Sequence, residues 1–540
     1  MADAKTKEKR KTLIGILLQI PIWILSLCGG FKLLSVFVLS FTDYNLIESP
    51  KFIGFNNYSS MLENEIVIKA FSNTVIYTVA IGILLIVFAV IPALLIAKTK
   101  LPFGLVTMGL FGFISVLALL GNWSYIFSGD SHGYINAIGM SLGFLDRPII
   151  WTSQEAPAIS AMIMFLACLA PIYAVTYIFA RMKHSAVGSA VAICAIPILM
   201  VLSYNCATRI VGCPSNEYSA DWLPTIFTDY FSTRFEVGYA YAILLVGILL
   251  LLVWSTVSVL AVLGVSVALK YIKIKTIVFK ILGYIAFVCS LISSIFSVLF
   301  AAFNISLALK PMEELLTFPP SFFALRPTFQ NFKSLLDVLL NSNVSFGARI
   351  LNGLLGVGVL ILIYIVTVLP CGIGAALVKK SKWKLCLFLP LVLLFGMSPM
   401  LQTTYYISRI RIGYMASGLA MAFLVFVTYW IINTVFCKQQ RKTPKIVLGI
   451  FTLLSWVLSV CNLVVLWCPY NAHEEVTRSF YGVIELFLFG GIARSGVASA
   501  GGILIILITG SLLIIPLTLT AILYIVNRIS GKKTKKQEKL

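Results

Sequence analysis

Charge is scarce in this sequence. Only 11% of its 540 residues are Asp, Glu, Lys or Arg, 60% are hydrophobic, and the mean hydropathy is +0.99. A water-soluble domain carries about 25% charged residues, so lipid is the solvent for much of this chain. Histidine is nearly missing: His132, His184 and His473 are the only three, too few and too scattered for an HExxH site or a metal cluster. The 11 cysteines form no C-x-x-C pair, and most fall in or beside apolar runs, where Cys is a small buried hydrophobe. Cys206 and Cys213 sit near one outer loop and have the option of pairing if the compartment oxidises. No Walker A motif is present; Gly531-Lys532-Lys533-Thr534 lacks the G-x-x-x-x-G-K-[ST] spacing whose glycine-rich loop cradles phosphate and magnesium. The chain is therefore expected to be no enzyme and to hold no cofactor of its own, and any ATPase serving it is a separate chain.

What is abundant is long apolar runs. About a dozen reach the roughly 20 residues that cross a ~30 Å hydrocarbon core as helix. In the first half they are 13–40, 74–97, 103–121, 157–180, 186–207 and 238–267; in the second, 277–303, 350–378, 384–401, 413–436, 445–467 and 497–527. The runs lack the period-2 alternation of barrel strands, so helices are expected. The first run is too long for the core of a cleavable signal and lacks a small-residue cleavage site, so it is expected to stay as a span.

Basic residues set the expected orientation. The N-terminus carries Lys5, Lys7, Lys9, Arg10 and Lys11, and the C-terminus Lys532, Lys533, Lys535, Lys536 and Lys539. Turns on the same side hold Lys98, Lys100, Arg181 and Lys183, then Lys270 to Lys280, Lys379 to Lys384 and Lys438 to Lys445. Acids on that face are confined to Asp3, Glu8 and Glu538. Both termini are expected in the cytoplasm, and the net charge of +21 is a topology signal that also suits anionic headgroups. Membrane lipid is thus a partner, and nucleic acid is not.

The outer loops 41–73, 122–156, 208–237, 304–349 and 468–496 are long and the cytoplasmic turns short, so function is expected outside. The halves also echo one another. Phe41-Thr42-Asp43-Tyr44, Asn56-Asn57-Tyr58 and Asn73-Thr74 in the first find counterparts near Asn304, Gln330-Asn331-Phe332 and Asn352-Gly353 in the second. The offset is about 275 residues in the same topological sense, the mark of a parallel repeat. The expected fold is all-α integral membrane, about 12 transmembrane helices as two parallel six-span repeats, 1–268 and 269–540. Both first loops carry a short amphipathic stretch, with Phe329, Phe332, Leu336 and Leu339 on one face of the second, placed along the outer interface.

Phe41-Thr42-Asp43-Tyr44-Asn45-Leu46, Phe52-Ile53-Gly54-Phe55-Asn56-Asn57-Tyr58, Gly133-Tyr134-Ile135-Asn136, Pro148-Ile149-Ile150-Trp151 and Phe235-Glu236-Val237-Gly238-Tyr239-Ala240 resemble the first permease of maltose-type carbohydrate ABC importers. Leu309-Lys310-Pro311-Met312-Glu313-Glu314, Phe318-Pro319-Pro320-Ser321, Pro327-Thr328-Phe329-Gln330-Asn331-Phe332 and Gly496-Val497-Ala498-Ser499-Ala500-Gly501 resemble the partner permease. The resemblance runs patchily over nearly the whole chain and implies two permeases fused in one bacterial cell-membrane polypeptide. It implies a separate ATPase dimer and an extracytoplasmic solute-binding protein as partners.

The family couples to its ATPase through a long cytoplasmic loop carrying E-A-A-x-x-x-G. Here the equivalent turns are short and basic: Arg181-Met182-Lys183-His184-Ser185, and Cys437 to Lys445 with Lys438, Arg441 and Lys442. A coupling helix needs about two turns of 3.6 residues plus its connections. Two functions therefore stand open: a solute pathway, or a transport-inactive scaffold for another membrane protein or a glycan-handling enzyme, as in surface-polysaccharide synthesis or export. For a pathway, Asn122, Trp123 and Tyr125 at the outer end of the third span offer aromatic faces to a sugar ring and an amide to its hydroxyls; an ordinary aromatic belt is the alternative. Asn462 aligns with a pore-side Asn of the second permease, with Cys461 in place of a Trp; a polar tie between helices is the alternative.

Overall fold

The structure, a computed structural model, describes residues 2–98, 103–120, 122–151, scattered positions between 162 and 180, 223–232, 234–271, 276–341, 346–378, 414–435, 443–467 and 494–537. Among these residues the protein is helical, with no strand and one isolated antiparallel bridge, Thr42 to Phe52. In chain order the first half gives α1 (Ala2–Leu17), α2 (Ile20–Leu39), α3 (Asn56–Glu63), α4 (Glu65–Leu85), a π-helical turn π1 (Ile86–Val90), α5 (Ile91–Lys98) and α6 (Phe103–Leu120). It continues with α7 (Trp123–Ile126), α8 (Tyr134–Ser141), α9 (Leu223–Ser232) and α10 (Val237–Tyr271). The second half gives α11 (Thr276–Leu309), α12 (Met312–Leu315), α13 (Gln330–Asn341), α14 (Phe346–Ile363), π2 (Tyr364–Val368) and α15 (Leu369–Leu377). The last helices are α16 (Tyr414–Val435), α17 (Thr443–Trp467) and α18 (Ser495–Gln537).

Among the described residues five helices are long and apolar enough to cross a membrane: Glu65–Ala97, Lys280–Leu309, Gly353–Leu377, Pro444–Leu466 and Ser495–Val526. Their outer faces carry rows of exposed Ile, Leu, Val and Phe. Water would not tolerate so much contiguous apolar surface, and lipid requires it. This is a membrane protein. The expected spans 186–207 and 384–401, and most of 157–180, lie outside the described residues.

One expected span is divided. The run 13–40 folds as α1 and α2 with a turn at Leu18-Gln19. Pro21 has no N–H to give the Leu17 carbonyl, so the helical ladder stops there. Gln19 partly repairs the gap by donating its side-chain amide to Gly15 O at 3.2 Å.

Two helices widen at matching places. In Glu65–Ala97 the turn π1 precedes Pro92; in Gly353–Leu377 the turn π2 precedes Pro370. A proline ring clashes with the carbonyl four residues before it, here Phe88 and Val366, and each lies inside its π turn. The extra residue per turn moves that carbonyl aside and lets a long apolar helix bend without breaking.

By internal contacts the chain divides into two compact units. One comprises the described residues of Met1–Ser35, Asp337–Val483 and Leu504–Leu540; the other those of Val36–Leu336 and Ile484–Ile503. This partition cuts across the two sequence halves. In the first unit α1 lies on α15, with Gly15 and Gly374 meeting backbone to backbone, and Ile22 enters a core with Leu360, Tyr364, Val368, Cys371, Leu424 and Val457. In the second unit α11 lies on α5 and α6. Each unit thus contains the leading helix of the other half, packed on the segment that follows the proline-associated π turn.

Candidate functional site

Asn122, Trp123 and Tyr125 fall together in the second unit, all buried. Asn122 caps the short helix α7 by accepting the Tyr125 N–H at 3.3 Å. Its backbone N–H reaches Asn304 Oδ1 on α11 at 3.2 Å, and its amide donates to Ser495 O at 2.9 Å and Ser499 Oγ at 3.3 Å at the head of α18. One residue, through its backbone and its side chain together, therefore ties α7 to α11 and α18. Trp123 stacks on Phe300 at 4.7 Å and on Phe127 at 5.9 Å; Tyr125 stacks on Phe303 at 6.4 Å, and Tyr134 lies 4.5 Å from the same ring. The Tyr125 hydroxyl, fully buried, has no hydrogen-bond partner. Burial first, and then Tyr134, push its pKa up to about 12, so it stays a neutral phenol. The geometry joins helices through Asn122 and leaves one buried hydroxyl spare.

Beside this cluster, two of the quoted motifs form one unit. Asn136 of Gly133-Tyr134-Ile135-Asn136 donates to Ser128 O, Asp130 O and Ile149 O at 3.0, 3.3 and 2.9 Å. Its oxygen accepts Ile149 N at 3.2 Å and Trp151 Nε1 at 2.8 Å. A fully buried amide with all its valences used fixes the loop around it.

The remaining motifs make two knots of the same design. In the first, the Asn57 amide donates to Ser40 O at 2.8 Å and Thr42 O at 2.9 Å, where α2 ends. Gly238, heading α10, abuts the Thr42 carbonyl and donates its N–H to Tyr44 O at 2.9 Å. In the second, the Asn331 amide donates to Ala308 O at 3.0 Å and Lys310 O at 2.7 Å, where α11 ends. Gly496, heading α18, abuts the Asn331 amide. In both knots an Asn on the amphipathic helix grips alternate carbonyls at the end of the preceding long helix, and a glycine lets a later helix, α10 or α18, approach.

The second knot holds two buried charged side chains as well, Lys310 and Glu314, both bonded to Ser321. Lys310 is fully buried and its ammonium donates to Ser321 O; burial lowers its pKa, and Glu314 partly restores it. At Glu314 burial pushes the carboxyl up. The N–H groups of Leu325 and Arg326, the Ser321 hydroxyl and Lys310 together outweigh it, and the carboxyl ends below its ordinary value. A carboxyl depressed on folding stabilises the native state above its unfolded pKa and loses that contribution as pH falls through the folded value. Glu314→Gln is therefore expected to melt below the parent at neutral pH and to converge with it on acidification past the ordinary carboxyl range. Melting curves of both proteins from neutral to acid pH test this, and a gap that persists undiminished in acid refutes it.

Asn462 lies in the first unit, where its amide donates to Leu458 O of its own helix at 2.7 Å. Arg181, Lys183 and His184, Lys438, Arg441 and Lys442, and Cys206 and Cys213 all lie outside the described residues. Among the described residues no group of His, Cys, Asp or Glu is placed to hold a metal ion. The matched roles of Asn57 and Asn331 escape a reading by residue type. The signal available was their shared phase, each one place before an aromatic residue on an amphipathic stretch. No protein-family model and no curated protein sequence matches this chain.

Proposed function

We propose that the chain is the fused pair of membrane subunits of an importer for a carbohydrate or similar polar solute. Its two halves, 1–268 and 269–540, act as parallel six-span repeats beside a separate ATPase dimer and an extracytoplasmic binding protein. The observation that carries this reading is the doubling of design. Two Pro-associated π turns, two Asn knots and two leading helices each packed with the other half are what two copies of one permease-like unit are expected to share. A two-state solute path needs paired, bendable helices, and π turns next to proline are places where helices bend. The motif resemblance supplies the solute class.

The second reading, a transport-inactive scaffold in surface-polysaccharide synthesis or export, is favoured by one specific feature. The turns at 181–185 and 437–445 are too short for a helix that grips an ATPase. Without such a grip nucleotide binding has little differential contact with the two states of the bundle. Purification in mild detergent separates the readings. An ATPase and a binding protein that co-purify, with solute-stimulated ATP hydrolysis in liposomes, support the importer. A co-purifying glycan-handling membrane enzyme with no ATPase overturns it.

A further inference from the structure

The two amphipathic helices repeat more than the knots. Phe55, the residue just before α3, and Leu62 within it flank one side and are 73% and 78% exposed; Phe329, just before α13, and Leu336 within it hold the matching positions at 75% and 48%. At about 100° per residue each pair falls within one narrow sector. Asn57 and Met61 on α3, and Asn331 and Leu335 on α13, are buried in the sector to one side. The sector on the other side is polar and exposed: Asn56, Ser59 and Glu63 on α3, Gln330, Lys333 and Asp337 on α13. Both helices thus run through the same circular order of protein-facing, exposed apolar and exposed polar sides. Leu339, expected on the apolar face of α13, is instead buried, so the exposed stripe is narrower than the sequence pattern implies.

The exposed apolar sides continue the surfaces of the spans. Phe37 and Val38, half exposed on α2, lead to Phe41 at 5.2 Å between rings, and Phe41 leads to Phe55 at 5.3 Å. On α11 the exposed Ile305 lies one turn before Leu309, whose carbonyl accepts the Thr328 N–H at 2.7 Å and so holds Phe329 at the end of that span. A single exposed apolar pair has many explanations. Two such pairs, each joined to a membrane-facing helix and each bordered by charge on the side away from it, have a common one.

We propose that α3 and α13 are paired in-plane helices seated on phospholipid, at the boundary between headgroups and acyl chains of the leaflet where α2 and α11 end. Their aromatic and leucine side chains enter that boundary, and Glu63, Lys333 and Asp337 remain in water. The knots serve this placement, since Asn57 and Asn331 fix each helix to the end of its span and therefore set its depth. The inference rests on the membrane placement alone and holds for either functional reading.

The test uses the full chain in phospholipid nanodiscs. Phe55→Cys, Leu62→Cys, Phe329→Cys and Leu336→Cys are compared with Ser59→Cys and Lys333→Cys for reaction with a membrane-impermeant maleimide. Mass spectrometry of the individual peptides keeps native cysteines apart. The four apolar positions are expected to react about ten-fold more slowly than the two polar ones. A phosphatidylcholine with a diazirine near its acyl carbonyl is expected to label the peptides containing Phe55 to Leu62 and Phe329 to Leu336 of the unsubstituted chain. Equal maleimide rates at all six positions overturn the proposal. Slow rates at the apolar positions without lipid adducts also overturn it, because protein then covers those faces.

Discussion

Replacing Asn57 or Asn331 by alanine is expected to lower the stability of the purified protein by about 2–5 kcal/mol, among the largest effects of any single polar truncation. Each amide donates to two carbonyls at the end of a long helix, α2 or α11, and both asparagines are buried. Removing the side chain leaves two carbonyls with neither protein nor ready water, and an unsatisfied buried group costs about 1–3 kcal/mol. Asn→Asp at either place removes the donor and turns a carboxylate toward those same carbonyls, so it is expected to be at least as damaging. Thermal unfolding followed by size-exclusion in detergent measures both. If either alanine variant stays within about 0.5 kcal/mol of the parent, the knot is not a structural tie. The double variant adds a sharper point. The two knots share no residue, so their effects are expected to add.

Gly238→Ala and Gly496→Ala carry the second large expectation, and its sign is the informative part. In a helix interior, alanine normally gains up to about 1 kcal/mol over glycine. Here a methyl at 238 would overlap the backbone carbonyl of Thr42, and one at 496 would overlap the Asn331 amide. Neither neighbour is a loose side chain: Thr42 O accepts from Asn57, and Asn331 is held by two carbonyls. Relief requires moving α10 or α18 away from its knot, which also breaks the Gly238 N–H bond to Tyr44 O. Both variants are expected to lose several degrees of melting temperature or to fail to accumulate in the membrane. Gly109, Gly112 and Gly510 face open space, so alanine there is expected to be neutral or mildly stabilising. Equal behaviour at all five positions would remove the close approach as an explanation.

The two expectations concern one construction principle. A loop in a membrane protein must satisfy its backbone where a helix ends, because the last carbonyls of a helix have no intrahelical partner. Asn57 and Asn331 do this for α2 and α11, and Asn136 and Glu314 do it within their loops. Each of these four residues belongs to a motif picked out from the sequence as resembling importer permeases. Their bonds give those residues a structural role, whether or not solute passes. Asn122 fits the same pattern. Its amide is engaged by Ser495 and Ser499, so a role in binding solute requires those bonds to open, whereas the Tyr125 hydroxyl is buried with no hydrogen-bond partner.

Much of the architecture was legible before any coordinate. Apolar runs mark helices because hydropathy and length are local properties, and α4 with π1 and α5, α11, α17 and α18 overlap the expected runs 74–97, 277–303, 445–467 and 497–527. The amphipathic stretches near 56 and 330 were legible too, through their periodicity. Pro21 was equally visible, yet the break at Leu18-Gln19 was missed, because a proline inside a strongly apolar run is outvoted by the run when hydropathy alone is read.

By itself, then, the sequence determined that this protein lives in a membrane, is built of helices and carries related features in its two halves. Lipid-compatible composition, helical length and repeated motifs are each written in consecutive residues. Only the tertiary structure decided which helices keep company: α1 with α15, α11 with α5 and α6, α18 with Asn122 and Asn331. The physical reason is that one apolar helix face is as well satisfied by lipid as by another helix. Choice among partners falls to close-packed glycines and to a few buried amides that must find carbonyls, and those contacts join residues hundreds of positions apart.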